Sequence, residues 1–205
     1  MSEITIIDYG VGNIASIANM LKKAGHTAVL SGDHAEIVQA EKLILPGVGS
    51  FDHAAARLHS TGIDDLVRER AAAGVPILGV CLGMQLLLDG SDEGELSGLG
   101  LIPGRSYRFP AEVDGARLRV PHMGWNTVQR TSDTALPRVV TGDRFYFVHS
   151  YRVRPDDEAD VAATTRHGIE FASMIHRENV MGVQFHPEKS HRYGLRLLSD
   201  FAEGA

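Results

Sequence analysis

Residues 4–88 carry four short apolar runs, each closed by a turn, and that pattern restricts this chain more than any other feature. Ile4-Thr5-Ile6-Ile7 ends at Asp8-Tyr9-Gly10. Similar runs follow near Thr27–Leu30, at Leu43-Ile44-Leu45 and at Pro76–Val80. Continuous apolar runs of this length suit strands buried on both faces. Between them the period changes to that of a helix. Ile14, Ile17, Ala18 and Leu21 recur at i, i+3, i+4 and i+7, with Asn13 placed to cap and Gly25 to stop the helix. Helical spacing resumes over 51–73, broken near Gly62, and again over 82–88. Strand and helix in alternation predict a mainly parallel sheet flanked by helices. From about Arg105 to Phe185 the runs are shorter and β-rich. They include Phe145–Val148, Val161–Thr165, Phe171–Ile175 and Val180–Phe185, with Asp114-Gly115 as a hairpin turn. A helix over about Gly194–Ala202, carrying Leu195, Leu198 and Phe201, closes the chain. The expected fold is α/β, parallel at its heart with antiparallel additions in the second half.

Length and composition narrow the function classes. A chain of 205 residues fits one domain, taken as 1–205, and buries a sizeable core without disulfide or metal support. The 22 glycines exceed the usual share, yet only 8 prolines and no Gly/Ser tract accompany them. That points to tight turns rather than disorder. A net charge of −6 with no Lys/Arg block argues against a dedicated nucleic-acid binder. The longest uncharged apolar run, Val75–Leu88, contains Pro76 and Gln85 and falls short of the ~20 residues that span a bilayer. Met1-Ser2-Glu3-Ile4-Thr5 has no basic segment leading into an apolar one, so no secretory signal is read and a cytoplasmic protein is expected. One cysteine excludes a disulfide framework and any CxxC motif.

The sharpest local signal is Gly79-Val80-Cys81-Leu82-Gly83, a G-x-nucleophile-x-G segment between an expected strand and an expected helix. Glycines two residues either side of a nucleophile allow a sharp strand-to-helix turn. Such a turn lifts the sulfur toward solvent, beside backbone N–H groups that favour a thiolate and an oxyanion. A buried structural cysteine is the alternative. A base is needed, and His186-Pro187-Glu188 supplies the best candidate among ten histidines. On an extended chain His186 and Glu188 project to the same side, and a carboxylate fixes the imidazole tautomer. HxxH, HExxH and Cys/His clusters are absent, so no metal or cofactor is expected. Pro46-Gly47-Val48-Gly49-Ser50-Phe51 follows a strand; its glycines let the backbone approach a ligand or form a plain tight turn.

Gly79-Val80-Cys81-Leu82-Gly83-Met84-Gln85 and Gly182-Val183-Gln184-Phe185-His186-Pro187-Glu188 resemble the two signatures of class I, triad-type glutamine amidotransferases, whose fold is flavodoxin-like. Asp8–Asn13, Pro46–Phe51, Pro121-His122-Met123-Gly124-Trp125-Asn126, Tyr146–Tyr151 and His186–Ser190 are further similar to the branch made up of glutaminase subunits of imidazole glycerol phosphate synthases. The resemblance implies that Cys81 attacks the side-chain amide of L-glutamine, His186 moves protons and Glu188 orients His186. It also implies oxyanion donors at Leu82 and in the Val48–Gly49 stretch, the latter after a peptide reorients. Gln85 and the main chain at Ser150 and Tyr151 would hold the amino-acid end of glutamine. Ammonia would pass to a barrel-shaped cyclase subunit, which joins it to a phosphoribulosyl carboxamide nucleotide. The products there are imidazole glycerol phosphate and an aminoimidazole carboxamide ribotide, in histidine biosynthesis. Asn13, Trp125, Tyr146 and Lys189 match positions facing that cyclase. His122 and His149 read as hydrogen-bonded structural histidines.

Other readings stay open at this point. Another class I glutaminase, such as one feeding pyridoxal phosphate synthesis, would carry different turns in place of PGVGSF and PHMGWN. A non-catalytic relative would lack the nucleophile, base or orienter, and all three are present. A free-standing cysteine hydrolase would turn over without a partner.

Overall fold

A computed structural model describes residues 3–131 and 139–204. Met1 and Ser2 of the N-terminal stretch lie outside it. The first half alternates as β1 (Ile4–Ile7), α1 (Ile14–Lys23), β2 (Ala28–Ser31), α2 (His34–Gln39), β3 (Lys42–Gly47), α3 (Phe51–Thr61), α4 (Ile63–Ala72), β4 (Ile77–Cys81) and α5 (Leu82–Leu86). Short strands follow: β5 (Gly90–Ser91), β6 (Gly104–Arg108), β7 (Glu112–Val113), β8 (Ala116–Arg117), β9 (His122–Thr127) and β10 (Gln129–Arg130). Then come β11 (Arg144–His149), β12 (Tyr151–Pro155), β13 (Val161–His167), β14 (Ile169–Arg177), β15 (Val180–Val183) and α6 (His191–Glu203). Single 3-10 turns lie at Glu158–Asp160 and Pro187–Lys189.

The strands form one eleven-stranded sheet in the order β2-β1-β3-β4-β15-β14-β12-β6-β5, with β13 on β14 and β10 on β13. Neighbours from β2 through β15 pair in parallel. From β15 to β14, β12 and β6 they pair antiparallel. The parallel part and the antiparallel additions therefore belong to one continuous sheet. β9 and β11 make a separate antiparallel pair, and β7 and β8 a hairpin. In the latter Asp114 and Gly115 both take positive φ, as a two-residue hairpin turn needs.

Alternate residues along the parallel strands go to opposite sides. Leu43, Leu45 and Ile77 join a core with α2, α3 and α4. Ile4, Ile6, Ile44, Leu78 and Val80 join another with α1 and α6. Both faces are covered, which is why these strands read as unbroken apolar runs. Lys42 is buried at the start of β3, and its Nζ donates to the carbonyls of Phe201 at 2.9 Å and Ala202 at 2.6 Å, near the end of α6.

Several boundaries differ from the sequence reading. α2 was not expected; Asp33 caps it by accepting from the N–H groups of Ala35 and Glu36. Pro46 and Gly47 belong to β3 rather than to a turn, because the ladder to β4 runs through Gly47. α5 stops at Leu86, β15 stops at Val183, and α6 begins at His191. In α6 the most buried residues include Leu197, Leu198 and Phe201, with Leu195 only half-buried. Asn13 stands at the cap of α1, but its side chain accepts from the Ser16 hydroxyl instead of from a backbone N–H.

Candidate active site

Cys81 ends β4 and caps α5 with φ 56° and ψ −109°. A non-glycine residue at positive φ costs roughly 1–3 kcal/mol and persists only where its surroundings enforce it. Here they do: α5 crosses so closely that a Cβ on Gly79 would lie 2.7 Å from the Gly83 carbonyl oxygen. A Cβ on Gly47 would lie 2.7 Å from Gly83 N. The turn does not push the cysteine out into solvent, as the sequence alone suggested. Cys81 is only 7% exposed, because the loop after β3 and the β11–β12 turn help wall the same cleft. α5 spans little more than one turn, so its first N–H groups, Leu82's among them, matter more than any macrodipole.

His186 lies beyond the end of β15. Its N–H donates to the Tyr146 carbonyl at 2.9 Å. The Ser190 hydroxyl closes the link, donating to the His186 carbonyl at 2.6 Å and accepting from Tyr146 N–H at 3.0 Å. Glu188 sits in the 3-10 turn rather than on an extended strand, which replaces the same-side argument drawn from the sequence. The turn still brings Glu188 Oε1 to 2.8 Å from His186 Nδ1. A carboxylate only accepts, so the Nδ1 hydrogen points to it and Nε2 is left for the sulfur side. Nε2 is buried without a hydrogen-bond partner of good geometry, and so is Glu188 Oε2. Burial works against a charged His186, but the adjacent Cys81 sulfur and the Glu188 carboxylate outweigh it and raise the imidazole to about 9. At neutral pH the imidazolium is the favoured form.

A cleft of about 360 Å³ collects most of the residues singled out from sequence: Val48, Gly49, Cys81, Leu82, Gln85, Ser150, Tyr151 and His186. Glu188 reaches it through His186. Lys189, expected on the partner face, also lines it. Val48 and Gly49 are exposed, and Gly49 holds φ 92°. Asn13, Trp125 and Tyr146 are not among the lining residues. Trp125 is 39% exposed on β9, edge-on to Tyr146 with centroids 6.2 Å apart. Lys189 Nζ lies 5.9 Å from the Tyr146 ring centre. Asn13 is exposed at the start of α1.

Sequence reasoning passed over two residues near Cys81. Gln184, fully buried, aims Nε2 at Cys81 Sγ from 3.8 Å and accepts from Gln85 Nε2 at 3.2 Å. It stands two residues before His186, so the alternation applied to His186 and Glu188 extends to it. Glu93 lines the cleft, and its carboxylate accepts from Phe51 N–H at 2.9 Å, at the start of α3. Nothing in its sequence surroundings signals this. Among the described residues no group of three His, Cys, Asp or Glu side chains is placed to hold a metal.

The Glutamine amidotransferase class-I family model matches residues 5–204. The chain is 48% identical over 205 residues to the imidazole glycerol phosphate synthase subunit HisH of Moorella thermoacetica, covering 99% of this chain and 95% of that protein. It is 43% identical to the subunit HisH 2 of Methanococcus maripaludis, covering 98% of this chain and 100% of the relative. Among solved structures, PurLQS from Thermotoga maritima superposes with a TM-score of 0.71. That pair is 19% identical, with 98% of this chain and 95% of the other covered, so the likeness is one of fold.

Proposed function

This chain belongs to the class I glutamine amidotransferases, in the branch of the HisH subunits, and from that premise we propose that it is the ammonia-releasing subunit of an imidazole glycerol phosphate synthase in histidine biosynthesis. The same reading takes residues 1–205 as one glutaminase domain, supported by the sheet that runs through both halves. No helix among the described residues is long and apolar enough to cross a membrane, which fits the cytoplasmic site of action we assign.

One observation carries the mechanism: Glu188 fixes the Nδ1 hydrogen of His186, so the buried Nε2 faces its chemistry beside Cys81. The Cys81 sulfur attacks the side-chain amide carbon of glutamine. Negative charge gathers on the amide oxygen, where the Leu82 N–H and the Val48–Gly49 stretch would donate. The C–N bond breaks as His186 delivers its proton to the departing nitrogen, and ammonia leaves a thioester on Cys81. Having given its proton to the ammonia, His186 is neutral while the sulfur is acylated. The neutral imidazole then takes a proton from water, whose oxygen attacks the thioester and releases glutamate. Gln85 and the main chain at Ser150 and Tyr151 hold the amino-acid end of the substrate.

Ammonia that escapes into water becomes ammonium and loses its nucleophilic lone pair, so the cyclase is the chemically sensible destination. The exposed Trp125, with Tyr146 and Lys189 beside it, supports a docking face there, and Asn13 is assigned to it as well. The test is glutamate release from glutamine by the chain alone, then with the cyclase plus its nucleotide ligand, using Cys81→Ala as the control. Strong release only in the full mixture, lost in the control, is expected. Equal turnover with and without the partner would instead indicate a free-standing hydrolase.

A further inference from the structure

Two buried histidines on the β9–β11 strand pair take no part in the mechanism above. His122 opens β9 and His149 ends β11, paired across the ladder. His122 Nδ1 is 3.0 Å from His149 Nε2. Phe109, Phe147 and Phe171 pack around them, and the His167 ring stacks on His122 at 4.3 Å. His149 also lines the cleft that holds Cys81.

The hydrogens of this pair have only one consistent arrangement. The Tyr151 carbonyl, 2.8 Å from His149 Nδ1, can only accept, so His149 carries its hydrogen on Nδ1 and offers Nε2 as an acceptor. His122 Nδ1 must then donate. Its Nε2 is left to accept from Asn126 Nδ2 at 3.2 Å. The same Asn126 nitrogen donates to the Arg166 carbonyl at 2.9 Å, while Asn126 Oδ1 accepts from Thr127 N–H at 2.8 Å. That fixes the amide orientation, and with it the direction of the whole chain of hydrogen bonds. Past Tyr151, Gln85 Nε2 donates to the same carbonyl at 3.4 Å and to Gln184 Oε1, and Gln184 donates to the nucleophilic sulfur.

We propose that Asn126, His122 and His149 are positioning residues for the substrate: a one-way chain of neutral donors that fixes the Tyr151 carbonyl, and with it the Gln85 amide, against bound glutamine. The proposal rests on the glutaminase reading and deepens it. Burial, reinforced by His167, lowers His122 to about 4. Burial also lowers His149, to about 3; the Tyr151 bond opposes this, and His122, His167 and His186 reinforce it. Both rings are therefore uncharged beside the His186 imidazolium. A second charge there would repel it and would put a hydrogen where His149 Nε2 must accept.

The experiment is glutamine kinetics in the complex with the cyclase and its nucleotide ligand. His149→Phe should raise KM for glutamine about tenfold, the worth of one buried hydrogen bond, with kcat within about twofold. His149→Asn sets an amide nitrogen near the former Nδ1 and should return KM to within about threefold of the parent. Nitrogen NMR of the unsubstituted protein at neutral pH should show both rings as neutral Nδ1–H tautomers. An unchanged KM in a folded His149→Phe variant overturns the proposal. So does a loss of kcat alone, or an imidazolium or Nε2–H form at either ring. Should the substitutions prevent folding, the NMR result decides by itself. Failure of the glutaminase reading would show separately, as no glutamate release from the unsubstituted complex.

Discussion

His186 holds its proton between the Cys81 sulfur and the Glu188 carboxylate, both of which favour the charged ring, and the sign of its pH effects follows. Its value of about 9 lies above that of an imidazole in the unfolded chain, roughly 6.5. The folded state thus binds this proton more tightly. The resulting stabilisation is fully present below about pH 6.5 and is lost as pH rises toward 9. Glutamate release should fall on the basic side with a limb near 9. Glu188→Gln removes the charge that helps retain the proton. The limb should move to lower pH and turnover should drop by about 10²–10⁴-fold, read from a pH profile of the complex. A limb that stays in place would show that Glu188 does not govern His186. At this scale the residues proposed as nucleophile and base were legible in the sequence, because Gly79, Gly83 and Pro187 mark their backbones. The cover over Cys81 and the Gln184 contact were not. Gln184 sits at the end of an apolar run and reads as strand, and its distance to the sulfur is a product of folding.

Among the elements, those with a long period or a full apolar run were legible and the short ones were not. α2 spans His34–Gln39, and only Ile37 is fully buried, too little to establish a helical period. The His122–His149 contact joins residues 27 apart in sequence, and only the register of the β9–β11 pair brings them together. Lys42 is another contact invisible in sequence, where it reads as an ordinary charged residue before a strand. Its ammonium is placed on carbonyls of the last turn of α6, where a cation also complements the helix dipole. Lys42→Met leaves those carbonyls without their donor and should destabilise the chain by about 1–3 kcal/mol in denaturant unfolding. Glutamine turnover per folded molecule should not change, since Lys42 starts β3, lines no part of the cleft and lies at the end of the strand away from the Gly47–Cys81 pairing.

For the whole molecule, the β9–β11 strand pair presents Met123, 60% exposed, and Trp125 beside the residues that hold His186. Large apolar side chains exposed together mark docking faces. Trp125→Ala should weaken association with the cyclase by about tenfold or more, the loss expected at an aromatic anchor, while leaving the melting temperature of the free chain nearly unchanged. Titration of the two labelled proteins measures it, and unaltered affinity would move the docking face elsewhere. The parallel sheet and its antiparallel extension were legible as a change in run length, but not the order in which the strands lie.

That order has a consequence for synthesis. β15, among the last strands made, occupies the middle of the sheet between β4 and β14, and the turn bearing His186 and Glu188 follows it. β3, β4 and α5, which form the turn at Cys81, are all made before residue 90, whereas His186 and Glu188 come far later in the chain. The slot beside β4 fills only when residues 180–183 emerge, and the proton carrier arrives with the next few. On the proposed mechanism, closing of the sheet and completion of the triad should therefore coincide late in synthesis, and a shortened chain should release no glutamate from glutamine. A chain ended before Val180 should accordingly be recovered as an aggregation-prone, protease-sensitive fragment rather than as a slow enzyme.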